Sequence, residues 1–138
     1  DIAVSGETGS IQIACGPGGY LYVSSGSSGT VWSSSVTFNG TLQSTFGTNT
    51  WKALAISANG QYGLACANPG FIYRSGNSCS AWTSTDISLN GGIQNSNRLW
   101  QDVGMSANGK YQVACVGGTG TPGNIYYSKN YSFVFFSK

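Results

Sequence analysis

The sequence contains no histidine, and only 7% of its 138 residues are Asp, Glu, Lys or Arg, against about 25% in an average soluble protein. Histidine is the commonest general base and the commonest metal ligand, so its absence excludes Ser-His dyads, Cys-His dyads and histidine metal sites. The formal net charge of +2 is too small for a polyanion-binding field. We therefore expect no nucleic-acid partner.

Long apolar runs are also missing. No segment approaches the roughly 18 consecutive apolar residues of a membrane-spanning helix, and no basic-then-apolar signal segment opens these residues. We therefore expect no membrane insertion. The first residue is Asp1 rather than Met, which predicts a processed, excised or tag-cleaved N-terminus, and the sequence favours no particular compartment.

The low charge does not indicate disorder, because 13% of the residues are aromatic and 21 are glycine, whereas disordered chains are poor in aromatic residues. The clearest pattern is a threefold internal repeat. An Ala-Cys pair recurs about every 50 residues, at Cys15, Cys66 and Cys115, with a glycine-containing turn before and after it. We read a single repeat domain over 1–138, with units at about 1–50, 51–99 and 100–138.

The local pattern within each unit predicts β-structure. Runs rich in Val, Ile, Tyr, Trp and Thr alternate with Asn-Gly, Pro-Gly and Gly-Gly pairs, which supply the positive φ of tight hairpins. Four short antiparallel strands in about 50 residues have the dimensions of a propeller blade. The expected fold is all-β, with three four-stranded antiparallel units of propeller-blade type.

A serine is followed seven residues later by an aromatic residue near the end of each unit, in the segments Ser25 to Trp32, Ser75 to Trp82 and Ser128 to Phe135. This spacing resembles the Asp-box (neuraminidase/sortilin-type) repeat, Ser-x-Asp-x-Gly-x-x-Trp, which lies between the third and fourth strands of propeller blades. Ser27, Asn77 or Asn130 occupies the Asp position, and Ser or Asn can close the same turn. The resemblance implies a β-propeller. It implies no activity, because the box is structural.

The number of units raises a question of closure, since propellers have about four to eight blades and this sequence supplies three. Self-association would close the ring, for example with two chains giving six blades. A piece cut from a larger protein is another possibility. A β-trefoil is the alternative fold, because three repeats would complete it within one chain, but the box spacing and the lack of a Gln-x-Trp signature favour the propeller.

The cysteines and one glycine-rich string have ordinary structural interpretations. Three of the four cysteines occupy equivalent repeat positions, and no Cys-x-x-Cys or histidine completes a zinc site. We expect four free thiols, with no metal and no cofactor. The residues 118–123 fit the pattern Gly-x-Gly-x-x-Gly, but a strand pattern follows them where a dinucleotide site needs a helix. They are predicted to form an inserted hairpin loop.

Catalysis is not expected. The sialidase chemistry of the resembled family uses three arginines, whereas this chain has only Arg74 and Arg98, and Glu7 is its sole glutamate. A glycosidase would need two converging carboxylates, but the repeat places Asp86 and Asp102 at strand ends, where solvated loop residues are the ordinary case.

The composition favours non-catalytic binding, with glycans first among the partners. Aromatic faces can stack on the apolar side of a sugar ring while Asn, Ser or Arg reach its hydroxyls, and repeated sites add avidity. The candidate ligand-binding residues are Trp51, Trp100, Arg74, Arg98, Tyr73 and Tyr126. The alternative is a structural or assembly module of a larger particle or processed precursor, which would bury these aromatic residues and expose an apolar seam.

Overall fold

The computed structural model describes residues 1–6, 9–26, 30–46, 49–84, 88–89, 93–94, 97–118, 123–129 and 134–137. The described chain is all-β, as predicted, and its only helix is the four-residue α1 (Gln43–Phe46). The strands are β1 (Ile2–Val4), β2 (Ile11–Cys15), β3 (Leu21–Ser25), β4 (Thr37–Phe38), β5 (Thr41–Leu42), β6 (Trp51–Ile56), β7 (Gly63–Ala67), β8 (Ile72–Ser75), β9 (Ala81–Trp82), β10 (Ser88–Leu89), β11 (Ile93–Gln94), β12 (Trp100–Met105), β13 (Gln112–Val116), β14 (Ile125–Ser128) and β15 (Val134–Ser137).

These strands form four sheets. Sheet I has the order β1-β2-β3 and sheet II the order β6-β7-β8. Sheet III has the order β11-β10-β15-β14-β13-β12, and the connector sheet has the order β5-β4-β9. Pairing is antiparallel except where β4 meets β9 and where β10 meets β15. The described strands close neither a barrel nor a propeller within one chain.

The predicted three four-stranded units are not confirmed as such, because sheets I and II have three strands each. Among the described residues, the segments expected to form fourth strands pair with these sheets through isolated bridges, Val23 with Ser33 in sheet I and Arg74 with Thr83 in sheet II. The physical reason is that each bridge is a single residue pair with hydrogen bonds of 2.8 or 2.9 Å, too short a ladder to make a strand.

Corresponding strands of the three sheets have the same register. The residue two positions before each repeated cysteine pairs with a small residue of the preceding strand: Ile13 with Ala3, Leu64 with Ala55, and Val113 with Gly104. Successive side chains of a strand point to opposite faces of its sheet. The shared register therefore assigns equivalent residues of the three sheets to equivalent faces.

The turn before the second strand of sheets II and III repeats atom for atom. The Ser57 hydroxyl donates to Asn59 Oδ1 (2.8 Å) and accepts from the Tyr62 amide (2.9 Å). The corresponding distances at Ser106 are 2.9 and 2.9 Å. Gly60 and Gly109 have φ of 74° and 75°, a left-handed conformation that an Asn-Gly turn supplies without strain.

The hydrophobic core is divided between the two junctions of consecutive sheets. One cluster joins sheet I to sheet II and includes Ile13, Trp51 and Tyr73, with Phe38 of β4 inserted among them. The second cluster joins sheet II to sheet III and includes Leu64 and Trp100. The strand β6 accordingly lies against both β1 and β12.

Candidate functional site

The four aromatic residues predicted to bind a ligand lie inside these two junctions. Trp51 and Trp100 are buried, and each makes an edge-on contact with a buried tyrosine, Tyr73 and Tyr126 respectively. Both pairs have ring centroids 5.3 Å apart, with interplanar angles of 66° and 64°. A sugar ring stacks on an exposed aromatic face, which these four residues lack, so glycan binding through them stays a prediction that the geometry does not favour.

The two predicted arginines are both half-buried. The Arg98 guanidinium lies 5.6 Å from the centre of the Tyr126 ring, and its backbone pairs with Gly70. Arg74 pairs through its backbone with Thr83. The structure therefore brings one predicted arginine onto a predicted tyrosine, as packing between sheets II and III.

The most distinctive surfaces are the two ends of the stack of sheets. We call the face of each sheet that is directed toward the next sheet its leading face. Two equivalent positions define it: Ile13 and Leu21 in sheet I, Leu64 and Ile72 in sheet II, and Val113 and Ile125 in sheet III. The first four residues are fully buried, whereas Val113 is 47% and Ile125 58% exposed. Sheet III thus exposes apolar residues that its counterparts bury.

The opposite, trailing face shows the converse pattern. Its positions are the two cross-strand partners of the alanine that precedes each repeated cysteine. They are Ile2 and Tyr22 in sheet I, Leu54 and Tyr73 in sheet II, and Val103 and Tyr126 in sheet III. The residues of sheets II and III are buried, whereas Ile2 is 73% and Tyr22 40% exposed. Sheet I therefore exposes the face that its counterparts bury against the preceding sheet.

Close glycine contacts show how tightly consecutive sheets fit. A Cβ placed on Gly60 of sheet II would lie 2.7 Å from Ile11 Cγ1 of sheet I, and one on Gly109 of sheet III 2.6 Å from Tyr62 Cδ2 of sheet II. The residue of sheet I that corresponds to Gly60 and Gly109 is Gly9, and nothing described lies within 4 Å of a Cβ placed on it. The residue of sheet III that corresponds to Ile11 and Tyr62 is the exposed Tyr111. Each end of the stack therefore carries one half of this contact.

Aspartate carboxylates occupy matching positions in sheets I and III. Asp1 Oδ1 accepts from the amide of the next residue (2.9 Å), and its Oδ2 accepts from the Leu54 amide of sheet II (2.7 Å). Asp102 Oδ1 likewise accepts from the amide of the next residue, Val103 (2.8 Å). Asp102 is exposed at the leading face of sheet III, in the position from which Asp1 binds the adjacent sheet.

A shallow apolar groove of about 190 Å³ marks the centre of the exposed leading face. Val113, Cys115 and Ile125 line it, together with Asp102 at its edge. In sheet II the equivalent of Cys115 is Cys66, which sheet III covers completely. Sequence reasoning did not identify these end-face residues, although counting from the repeated cysteines would have aligned Val113 with Ile13 and Leu64.

The turn at 75–82 is closed by Asn77, which stands at the predicted Asp position of the box. Asn77 Oδ1 accepts from the Ser75 hydroxyl (2.9 Å) and from the Ala81 amide (3.0 Å). The Trp82 indole donates to the Cys79 carbonyl (2.8 Å). Cys79 has φ of 63°, the left-handed conformation that favours the glycine of the box pattern.

We expect the Asn77→Ala variant to lose about 1–2 kcal/mol of unfolding free energy, since the Ala81 amide and the Ser75 hydroxyl both lose their acceptor. The Asn77→Asp variant keeps both acceptor contacts and should stay within about 0.5 kcal/mol of the parent. Urea unfolding measures both values, with the exposed Asn97→Ala as control. Equal stability of the Ala and Asp variants would contradict this account of the turn.

Two buried thiols should make stability fall at alkaline pH. Burial raises the pKa of Cys66 and of Cys79 to about 12, whereas the unfolded thiol titrates near 9.0. The folded chain then holds these protons more tightly, so their stabilisation is complete below about pH 9 and is lost as the pH rises toward about 12. Urea unfolding at pH 8 and pH 10.5 should show the loss.

The control for this prediction is the Cys66→Ala, Cys79→Ala double variant. It starts from a lower stability because it leaves two small cavities, but its stability should fall less steeply with pH. An unchanged slope would assign the alkaline loss to other groups. At pH 8 both thiols of the parent should also resist a thiol-labelling reagent until the chain unfolds, because the thiolate is the reactive form.

The described residues contain no group of three His, Cys, Asp or Glu side chains that could hold a metal. No described helix has the length and hydrophobicity of a membrane-spanning segment. All four cysteines are free thiols. Glu7, Asp86 and most of the glycine-rich 118–123 loop lie outside the described residues.

The chain matches no protein-family model, no curated protein and no solved structure. The resemblance to Asp-box repeats therefore stays a prediction.

Proposed function

We propose that this chain is a non-catalytic assembly module that associates head-to-tail with a second copy through its two end faces. The observation that carries the proposal is the paired exposure at the ends. Val113 and Ile125 are exposed on sheet III, Ile2 and Tyr22 are exposed on sheet I, and every counterpart at the two internal junctions is buried. The leading face of one copy is thus suited to the trailing face of another.

The contact inferred between copies repeats the internal junctions. Gly9 of one copy would pack against Tyr111 of the other, as Gly60 packs against Ile11 within the chain. Asp102 would lie against β1 of the other copy, in the position from which Asp1 lies against β6 within the chain. A contact between two different surfaces gives rings when the rotation closes and open fibres when it does not, so the geometry at the ends decides between them.

Closure by two copies is the form that we propose, with six units of propeller-blade type. Six lies within the usual range of about four to eight blades. Support for blade-type units comes from the bridges Val23–Ser33 and Arg74–Thr83, which add a fourth row to sheets I and II. The adjacent placement of β1, β6 and β12 also supports a common inner axis.

Glycan binding remains the second prediction, and the burial of Trp51, Trp100, Tyr73 and Tyr126 weighs against it. These residues contribute packing between sheets, which is what an assembly module requires. Large buried aromatic side chains contribute strongly to core energetics, and edge-on aromatic pairs add about 0.5–1.5 kcal/mol each.

Native mass measured by light scattering over a range of concentrations tests the proposal. We expect a species of twice the 14.3 kDa chain mass, with no larger species as the concentration rises. A monomer at all concentrations would overturn the proposal, and a mass that grows without limit would overturn ring closure. Labelling of Cys115, which lines the groove, should slow as the concentration rises through the association range.

A further inference from the structure

The outer edges of sheets II and III are each covered by a hairpin that precedes the sheet in the chain. The strand β4 pairs in parallel with β9, aligning Phe38 with Trp82, and β10 pairs in parallel with β15, aligning Leu89 with Phe135. At the first of these edges the Asn39 amide donates to the Trp82 carbonyl (2.8 Å). Two hairpins therefore cover their edges in the same register.

The equivalent edge of sheet I has no such strand among the described residues. Ser33 pairs with Val23 as Thr83 pairs with Arg74, so Trp32 occupies the position of Trp82. Yet Trp82 is 2% exposed and stacks on Phe38 with ring centroids 6.4 Å apart, whereas Trp32 is 41% exposed. No described backbone amide donates to the Trp32 carbonyl.

This edge also lacks the charged residues and prolines that protect many edge strands from pairing. Natural edges carry lysine, proline or inward-pointing charges, but the segment Val31 to Ser35 contains only Val, Trp and Ser. Val31 is 75% exposed. The edge is therefore uncharged, and its exposed apolar residues are Val31 and Trp32.

We propose that the edge at Val31–Trp32 is a strand-addition site for an uncharged β-hairpin of a partner protein. The added strand would run parallel to Val31–Trp32 and place an aromatic or large aliphatic side chain on Trp32. An Asn-Gly turn would follow the added strand, and the backbone amide of its Asn would donate to the Trp32 carbonyl. We expect the partner's hairpin to resemble β4–β5, which contains the sequence Phe38-Asn39-Gly40. Main-chain pairing supplies the affinity.

This site does not depend on the association of two copies. Closure uses the faces of sheets I and III, whereas the added strand pairs with the rim of sheet I. The test therefore uses the Val113→Arg variant, designed to be monomeric, so that failure of the dimer and failure of strand addition are separate results.

The probe is a fluorescein-labelled synthetic peptide with the sequence of residues 34–44, SSVTFNGTLQS, followed by fluorescence anisotropy. We expect saturable binding at or below about 1 mM peptide. The same peptide N-methylated at the Asn39 amide should bind at least about tenfold more weakly, because the hydrogen bond to the Trp32 carbonyl is lost. Absence of binding, or equal binding of the two peptides, would overturn the proposal.

The protein variants give a second comparison. Trp32→Ser should weaken peptide binding by at least about tenfold, while Trp32→Phe should retain it. Both variants should remain folded at the assay temperature, which circular dichroism checks, because the buried core residues are unchanged. Peptide binding that persists in Trp32→Ser would place the peptide elsewhere and overturn the site. A sugar that quenches Trp32 fluorescence and displaces the peptide would identify Trp32 as a glycan-binding residue. That result would also overturn the strand-addition site.

Discussion

The Val113→Arg variant is expected to be monomeric at concentrations where we expect the parent chain to form the proposed dimer. The interface would have to accommodate a large guanidinium in the apolar groove beside Asp102. Steric overlap and desolvation together cost about 3 kcal/mol or more, which is at least about a hundredfold in the dissociation constant. The monomer should remain folded, since Val113 is 47% exposed in a single chain. Light scattering measures the mass, and circular dichroism checks the fold.

The Ile2→Arg variant should give the same result from the opposite face. A mixture of the two variants should recover an open dimer, because one pair of unaltered faces remains when the chains differ. The matched control is Leu42→Arg, an exposed apolar residue away from both end faces, which should leave the mass unchanged. If Ile2→Arg stays dimeric while Val113→Arg does not, the contact is between two identical faces and the head-to-tail arrangement is wrong.

The Gln43→Met variant is expected to lose about 3 kcal/mol of unfolding free energy. Gln43 is buried, and its side chain pairs with the backbone of Leu21 as a strand would. Oε1 accepts from the Leu21 amide (2.8 Å), while Nε2 donates to the carbonyls of Leu21 (3.0 Å) and Ser34 (3.1 Å). Methionine keeps the length of the side chain but leaves the buried backbone groups of Leu21 without partners, and each such group costs about 1–3 kcal/mol.

Urea unfolding of the Val113→Arg background measures this loss without a contribution from association. Gln101→Met is the control, because Gln101 is half-buried and its Nε2 lies 3.4 Å from each of two carbonyls. Its cost should be below about 0.5 kcal/mol. A loss of less than about 1 kcal/mol for Gln43→Met would show that the hydrogen bonds between Gln43 and Leu21 contribute little to the stability of the fold.

The sequence by itself determined the all-β class and the equivalence of the three cysteine positions. Strand and turn preferences are local, so Asn-Gly turns and alternating β-branched residues can be read without knowledge of distant contacts. The side-chain pattern of the 75–82 turn follows the same logic. Asn77 was predicted to close it, and its side chain lies within hydrogen-bonding distance of both Ser75 and Ala81.

Only the tertiary structure decided which repeated residues face solvent. Trp51 and Trp32 are both tryptophans in a polar, glycine-rich chain, yet one is buried between sheets and the other is 41% exposed. The same pattern, an aliphatic residue followed by Ala-Cys, likewise gives buried residues at Ile13 and Leu64 but an exposed residue at Val113. The reason is that burial depends on whether another sheet lies beyond the face, and the order and number of sheets is a long-range property that no local pattern contains.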